Sequence, residues 1–374
     1  MHPEFLPNYR SPDGSGPLEL VEVLEWRNGE VIRGRLRSRR TGAEFPIEDG
    51  APRLIVPEEL TPARAVDQRQ IDLSDQQIDR WIAEQTLSPE LTDAIRIHDE
   101  EKFARTEFLF QAFDYDSPGE KYVLDLGCGD PSLTLRFAQL GFRCFALDFA
   151  PYRLCHNGGR YIEDSGQHFE RVVALMSRLP FPDRMFDLVF VSAALHHATP
   201  NREDEFEWYN PRNMFDTLRE VKRVLKRHDE GGRFIAAGEG VYPDDMPVSE
   251  RPLEKVAKVN GCYESHYTMA EYLSQFEAAG IYPMFFANQL DRRLYFDGYL
   301  PDGTRLPLLR PDDGVTMDQL WRMRHLCRRN ATAASLREVL PDWMHFRRLY
   351  PWKLHEPAGW LPSAHEYWRL RLSA

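Results

Sequence analysis

Val123-Leu-Asp-Leu-Gly-Cys-Gly-Asp130 is the stretch that decides the fold. Tyr122 to Leu126 are apolar but for one acid, the pattern of a strand buried in a parallel sheet. Gly127 and Gly129 then make a tight turn, and a helix is expected to begin near Pro131 or Ser132. A strand, a glycine turn and a helix N-terminus form a nucleotide-binding corner. Glycine lets the backbone approach a ligand, and the helix start offers N–H groups that lack intrahelical partners.

Working outward, strands and helices alternate, which marks a doubly wound α/β sheet. The first strand is 122–126. Its helix runs to Leu140 and stops at Gly141, a C-terminal glycine position. Further strands are expected at Arg143 to Leu147 (ending in Asp148), 171–174, Leu188 to Ser192 and, after the Gly231-Gly232 break, Arg233 to Ala237. Between the last two, Phe215, Leu218, Val221 and Leu225 recur at helical spacing. A helix at 269–279 ends at Gly280, and Ile281 to Ala287 with Arg293 to Phe296 are expected to supply the last two strands.

The domain map that follows has four parts. Residues 1–62 form a small β-rich module, with Leu18 to Leu24 and Val31 to Leu36 alternating around an Asn28-Gly29 hairpin signal. Phe45 to Ile55 adds a third short strand and a turn. Residues 63–118 read as a helical linker or cap: Leu73-Ser74-Asp75 looks like a helix start before Ile78, Trp81 and Ile82, and a second helix is expected from Leu91 to Phe113. Residues 119–298 hold the α/β domain. Residues 299–374, rich in Pro, Trp, Arg and His, are expected to pack back on the core as a C-terminal extension.

Composition narrows the function. The 374 residues carry 47 Lys+Arg against 59 Asp+Glu, a formal charge of −12. An acidic chain whose basic patch (Arg33 to Arg40) is short is a poor nucleic-acid binder, because phosphate neutralisation needs clustered cations. The 5 cysteines are scattered, with no C-x-x-C, which suits a reducing compartment rather than a disulfide framework. No apolar run approaches the roughly 18 residues of a membrane helix, and Met1-His-Pro-Glu-Phe lacks a signal-peptide pattern. The expectation is a cytoplasmic protein with no membrane partner.

Asp148 follows the glycine turn at the tip of the second strand, where a carboxylate accepts hydrogen bonds from ribose hydroxyls. The dinucleotide fingerprint G-x-G-x-x-G is broken, because Ser132 stands in its third glycine position. Asp125-Leu-Gly-Cys-Gly129, Leu147-Asp148, Leu179-Pro-Phe-Pro-Asp183 with Phe186-Asp-Leu-Val-Phe190, Leu195-His-His197 and Leu218-Arg-Glu-Val-Lys-Arg-Val-Leu225 instead occur in the order seen in class I S-adenosylmethionine-dependent methyltransferases, which the chain resembles. That resemblance implies a Rossmann-like sheet with S-adenosyl-L-methionine as cofactor. Gly127, Cys128 and Gly129 would face its methionine end, with Asp125 reaching the amino group. Asp148 would take the ribose and Phe149 would pack on adenine. Met176, Ser177 and Ser192 complete the expected contacts. Two positions depart from the family: Pro131 stiffens the turn, and Leu175 stands where an acid often binds the adenine amino group.

A transferred methyl needs a base only if the acceptor must lose a proton. His196 and His197, just past the fourth strand, are candidates, as is Glu239 past the fifth. A loop histidine held structurally and a turn-capping glutamate are the bland alternatives. Glu264, His266 and Tyr267 are candidate acceptor contacts; helix capping by Thr268 would account for part of that block. No ligand spacing points to a metal.

The N-terminal stretch resembles the zinc-ribbon-like module that activates some methyltransferases, on the strength of Phe45-Pro-Ile-Glu-Asp-Gly-Ala-Pro-Arg-Leu54. The resemblance places that module's two cysteine pairs at Ser11/Gly14 and Ser38/Thr41, so it implies a degenerate, metal-free copy. The functional expectation is methyl transfer to an O- or N-nucleophile of a small molecule, with a homodimer left open. The alternatives are cleavage or cyclisation of S-adenosylmethionine releasing methylthioadenosine, or a non-catalytic partner of another methyltransferase.

Overall fold

Asn28 and Gly29 both adopt positive φ, 50° and 85°, the pair of left-handed residues that a two-residue hairpin requires. They join β1 (Leu18–Arg27) to β2 (Glu30–Ser38), and β3 (Glu44–Glu48) and β4 (Ala51–Pro52) complete an antiparallel sheet in sequence order. The computed structural model describes residues 1–60, 62–84, 120–198, 214–227, 230, 232–237, 239, 241–242, 247–248, 254–255, 263–264, 267–281, 286–288, 293–299 and 305–309. The expected helix at Leu91 to Phe113 lies outside them, as does most of 299–374.

The turns at 11–14 and 38–41 come together. Thr41 Oγ1 donates to Asp13 Oδ2 at 3.1 Å, and Ser15 Oγ meets Ser38 Oγ at 2.6 Å. Burial opposes ionisation of Asp13, but hydrogen bonds from Ser15, Ser11 and Thr41 together outweigh it and hold the carboxyl below its ordinary pKa. A polar knot therefore closes the tip of this sheet.

Helix α1 (Pro62–Ala83) follows. It runs unbroken through Leu73-Ser74-Asp75, so that stretch is not the helix start its residue types suggested. Asp75 is buried and lies 3.2 Å from the Arg153 guanidinium. A tertiary ion pair has taken the acid that would otherwise cap a helix.

The central sheet is built as the apolar runs require. It comprises β5 (Tyr122–Leu126), β6 (Arg143–Asp148), β7 (Glu170–Val173), β8 (Leu188–Ser192) and β9 (Arg233–Ala237), all parallel, in the order β7-β6-β5-β8-β9. Helices α2 (Ser132–Gln139), α3 (Pro151–Ser165) and α4 (Phe215–Val224) lie between strands in sequence. Leu124, Leu126, Phe145, Leu147 and Val189 are fully buried at its centre. Strand order reverses between β5 and β8, so the crevice at their carboxyl ends is the expected ligand site.

The N-terminal sheet is fastened to the β7 edge. Arg53 and Val173 form a parallel bridge, and Leu54 N–H donates to Val173 O at 2.8 Å. The Phe5 and Tyr9 rings meet Phe145 edge-on at 5.5 and 6.0 Å. The buried Arg171 guanidinium donates to Glu30 Oε2 at 2.8 Å. Space for it is made by omission: a Cβ on Gly158 would lie 2.9 Å from Arg171 Cδ, and one on Gly159 3.1 Å from Nη1. Beside it, Glu170 accepts from Tyr9 Oη at 2.5 Å, from His2 N–H at 2.7 Å, and meets His168 Nε2 at 2.8 Å. Burial opposes its ionisation, but the Met1 amino group and His168 outweigh it and hold the Glu170 carboxyl down to about 2.

The chain divides into two compact units. The first is Met1–Asp99, Ser117–Glu239 and Leu253–Ser265, and includes the antiparallel pair β11 (Glu254–Lys255) and β12 (Tyr263–Glu264). The second is Glu100–Asp116, Gly240–Pro252 and His266–Ala374. Its described parts are the parallel pair β10 (Val241–Tyr242) and β13 (Tyr267–Thr268), helix α5 (Met269–Ala278), and an antiparallel sheet of β14 (Phe286–Asn288), β15 (Arg293–Tyr299) and β16 (Arg305–Leu309). The strand expected at Arg293 to Phe296 is present, and of that expected at Ile281 to Ala287 only Phe286 and Ala287 are described as strand; both pair within the β14-β15-β16 sheet and not, among the described residues, with the central one. Among the described residues no helix is long and apolar enough to cross a membrane.

Replacing Arg171 by Met is expected to lower stability by about 3 kcal/mol, because Glu30 is left buried beside an apolar side chain. Urea unfolding measures this; a loss below roughly 1 kcal/mol, the scale of an exposed pair, would show that the contact is not the fastening.

Candidate active site

Gly127 and Gly129 both lie in the left-handed region, at φ 69° and 56°, but for different reasons. A Cβ on Gly127 would stand 2.6 Å from Ala194 Cβ and 3.3 Å from Met176 Sδ, so the protein itself fills that space. A Cβ on Gly129 would meet nothing within 4 Å. Gly129 is therefore the residue that opens a cradle, and Gly127 is the residue that lets the turn pack.

The turn is tied to the neighbouring strand. Gly127 N–H and Cys128 N–H both donate to Leu147 O, at 2.8 and 3.1 Å, and Gly129 N–H donates to Asp148 Oδ2 at 2.7 Å. Asp148 Oδ1 accepts from Ala150 N–H at 2.8 Å. Cys128 is buried with its Sγ 3.7 Å from Gly129 O, so it packs inward. Asp125 is also buried, 1 % exposed, and accepts from Thr134 Oγ1 at 2.7 Å, which braces α2 against β5. Asp130, not singled out from sequence, accepts from Ser132 N–H, Asn157 Nδ2 and Tyr161 Oη at 3.0, 2.6 and 2.9 Å, and so joins α2 to α3. Phe149 is half-buried after the tip of β6, and Met176 and Ser177 are half-buried in the turn after β7.

The second half of the site lies past β8. Ser192 ends that strand, and Ala193 turns the chain at φ 50° into a short 3-10 turn, Leu195–His197. Glu239, past β9, reaches under it. Its Oε1 accepts from Ala194 N–H at 2.9 Å and Leu195 N–H at 2.8 Å; its Oε2 accepts from His196 N–H at 3.2 Å and lies 2.8 Å from His196 Nδ1. Burial opposes the charge, but His196 and these amides prevail and hold Glu239 below the ordinary glutamate pKa. His196 is buried at 4 % exposure; His197 is exposed, its ring 4.1 Å from that of His196. Sequence reasoning named these as separate candidates, and the fold joins Glu239 and His196 into one pair.

Of the candidate acceptor contacts, the Glu264 backbone lies in β12 and nothing is described of its side chain, while His266 lies outside the described residues. Tyr267 is fully buried in the second unit, edge-on to Tyr272 at 5.4 Å, and Thr268 with Glu271 forms a capping box on α5. Sequence reading missed the contribution of α1: Gln68, Asp72 and Asp75 contact the segment just after Asp148. The signal was there in their spacing of four and three residues, which places them on one helical face.

Glu30, His168 and Glu170 form the one cluster among the described residues with metal-ligand spacing. Arg171 and the Met1 amino group already stand beside its carboxylates, and Glu170 spends its oxygens on Tyr9, His2 and His168. It is an ion-pair network that joins the N-terminal sheet to β7.

The corner thus offers an open glycine cradle, a carboxylate at the tip of the adjacent strand and a half-buried aromatic ring beside it, a set that fits the amino-acid end, the ribose and the base of a nucleoside cofactor. Comparison with known proteins agrees. Residues 124–236 match the model of a methyltransferase domain. The chain is 28% identical over 207 residues to the uncharacterized methyltransferase YcgJ of Bacillus subtilis, covering 54% of this chain and 70% of that one. It is 43% identical over 84 residues to the uncharacterized methyltransferase sll0829 of Synechocystis, covering 22% of this chain and only 37% of that relative. Among solved structures it is similar to the magnesium protoporphyrin IX methyltransferase of Synechocystis with bound S-adenosylhomocysteine (14% identity, TM-score 0.41, covering 61% of this chain and 91% of that one). Residues 124–236 thus carry a methyltransferase domain on a Rossmann-like parallel sheet.

Asp75 gives the cofactor side a pH signature. Burial, reinforced by Asp148, Asp79 and Asp72 and opposed by Arg153, pushes its carboxyl up to about 7. The unfolded chain ionises Asp75 near pH 3.9, so between about pH 4 and 7 the unfolded state gains stability from ionisation first and the fold loses it. Above 7 the penalty is constant. The Asp75→Asn variant is expected to lack this contribution. Its stability relative to the parent should rise across that window, as read from urea unfolding at pH 4.5, 6 and 8; a difference independent of pH would refute the assignment.

Proposed function

We propose that this chain transfers the methyl group of S-adenosylmethionine to an O- or N-nucleophile of a small molecule, such as a sugar, an amino acid or a natural-product scaffold. When bound, the cofactor supplies an electrophilic methyl group on a sulfonium. The observation that carries the reading is the Glu239–His196 pair at the same carboxyl edge as the glycine cradle. Glu239 holds Nδ1–H of His196, which makes Nε2 the nitrogen that accepts a proton and stabilises the imidazolium that results. Glu239 itself stays charged and takes no proton. Gly129 and Asp148 position the cofactor, and Ala193 to Leu195 bring the histidine loop to the end of β8.

We read the N-terminal sheet as a built-in, metal-free counterpart of the zinc-ribbon-like activator module. The Asp13 knot supports this, because hydrogen bonds join the two turns whose positions correspond to the cysteine pairs. The attachment through Arg53 and Leu54 to β7 supports a role in holding the sheet edge.

His196→Ala is expected to lower turnover by about 10²- to 10⁴-fold on a hydroxyl acceptor while leaving the affinity for S-adenosylhomocysteine unchanged. Nucleoside products are read by chromatography over a panel of small hydroxyl and amine acceptors. Formation of methylthioadenosine in place of S-adenosylhomocysteine would reject methyl transfer, and full activity of the alanine variant would reject the base.

A further inference from the structure

We infer that a polar stripe on α1, with Asp72 at its centre, positions the adenosine end of the cofactor by holding the start of α3. The inference rests on the cofactor assignment above and concerns residues outside the matched methyltransferase segment, 124–236. Helix α3 starts without a side-chain cap of its own: Ala150 is its N-cap, and alanine has no acceptor to offer. Its first N–H groups lack intrahelical partners. One of them, on Tyr152, donates to Asp72 Oδ1 at 2.9 Å. Asp72 is therefore an N-cap supplied across space by another helix.

The neighbouring residues extend the grip. Gln68 Nε2 donates to Phe149 O at 2.5 Å. The Arg153 guanidinium lies 3.2 Å from Asp75 and 3.9 Å from Asp79. Gln68, Asp72, Asp75 and Asp79 follow one another at four, three and four residues, which is a single face of a helix. They hold positions 149, 152 and 153, so they clamp the four-residue step between the tip of β6 and the first turn of α3.

That step carries the cofactor-facing groups. Asp148 bridges Gly129 N–H and Ala150 N–H, and Phe149 follows it. A shift of the Phe149–Tyr152 backbone moves the Asp148 carboxylate away from the ribose hydroxyls, and hydrogen bonds weaken steeply with misalignment. A clamp that only stabilised the fold would alter unfolding but leave the folded protein's affinity intact. A positioning clamp weakens ligands through their adenosine end whether or not the amino-acid end is present.

The test is isothermal titration of the full chain with S-adenosylhomocysteine and with methylthioadenosine, alongside thermal unfolding. Asp72→Ala is expected to weaken both ligands by the same factor, about fivefold to tenfold, the size of a lost N-cap. Asp72→Asn keeps an oxygen that accepts the Tyr152 N–H and is expected to bind within about twofold of the parent. Gln68→Ala is expected to weaken both ligands severalfold, and it carries the test if Asp72→Ala does not fold. Parental affinity in the alanine variants, or equal losses in Asp72→Ala and Asp72→Asn, would overturn the inference. A parent chain that binds neither ligand would reject the cofactor assignment itself.

Discussion

One carboxylate fixes the ligand edge of the sheet. Asp148 receives Gly129 N–H on one oxygen and Ala150 N–H on the other, which locks the turn after β5 to the turn after β6. The two strands run parallel with Leu126 opposite Leu147, so the carboxylate arrives beside the glycine turn without any loop rearrangement. An ionised carboxylate has acceptor capacity beyond two bonds. Holding the turn and receiving hydroxyls are compatible tasks for the same side chain. The remaining parts of the corner serve this register: Gly127 packs against Ala194 and Met176, and Asp130 ties α2 to α3.

At the other edge, position is set by charge. Glu30, Glu170 and Arg171 are all buried where the N-terminal sheet meets β7. A buried ion pair is weak evidence for net stability, since desolvation offsets much of the attraction. It is stronger evidence for specificity here. Any other seating of the N-terminal sheet would leave Glu30 and Arg171 buried without compensation, and the clearance at Gly158 and Gly159 exists for one arginine conformation. Aromatic contacts among Phe5, Tyr9, Phe145 and Phe181 add area burial around these charges but are less selective about register.

Much of the fold was legible because buried parallel strands are short apolar runs and helices end at glycine. Tyr122–Leu126 and Leu188–Ser192 fall where their residues indicate, and Gly141 and Gly280 stop their helices at φ 92° and 70°. The glycine turn and Asp148 were legible too, because a strand tip followed by glycines has few other uses. What was not legible depends on partners distant in sequence. Ser74-Asp75 reads as a helix start, yet the acid is spent on Arg153 within a longer helix. The strands at 286–288 and 293–299 are local facts, but a strand's pattern does not name the sheet it joins. His196 and Glu239 lie 43 residues apart and meet only because β8 and β9 are neighbours.

That meeting decides which group does the acid–base work under the proposed function. Glu239 is a poor proton acceptor where it stands. Three backbone N–H groups and an imidazole converge on it, and its pKa is held down even though burial pushes the other way. Its charge is already committed to the loop that carries the histidines. A carboxylate so placed does two things at once: it fixes the backbone at Ala194 to His196, and it fixes the tautomer and orientation of the His196 ring. His197, next to it, is exposed, with its ring 4.1 Å from that of the buried His196. Orientation by a buried anion is what separates a positioned base from a loop histidine, so under the proposed function proton transfer would fall to His196, with Glu239 as the residue that aims it.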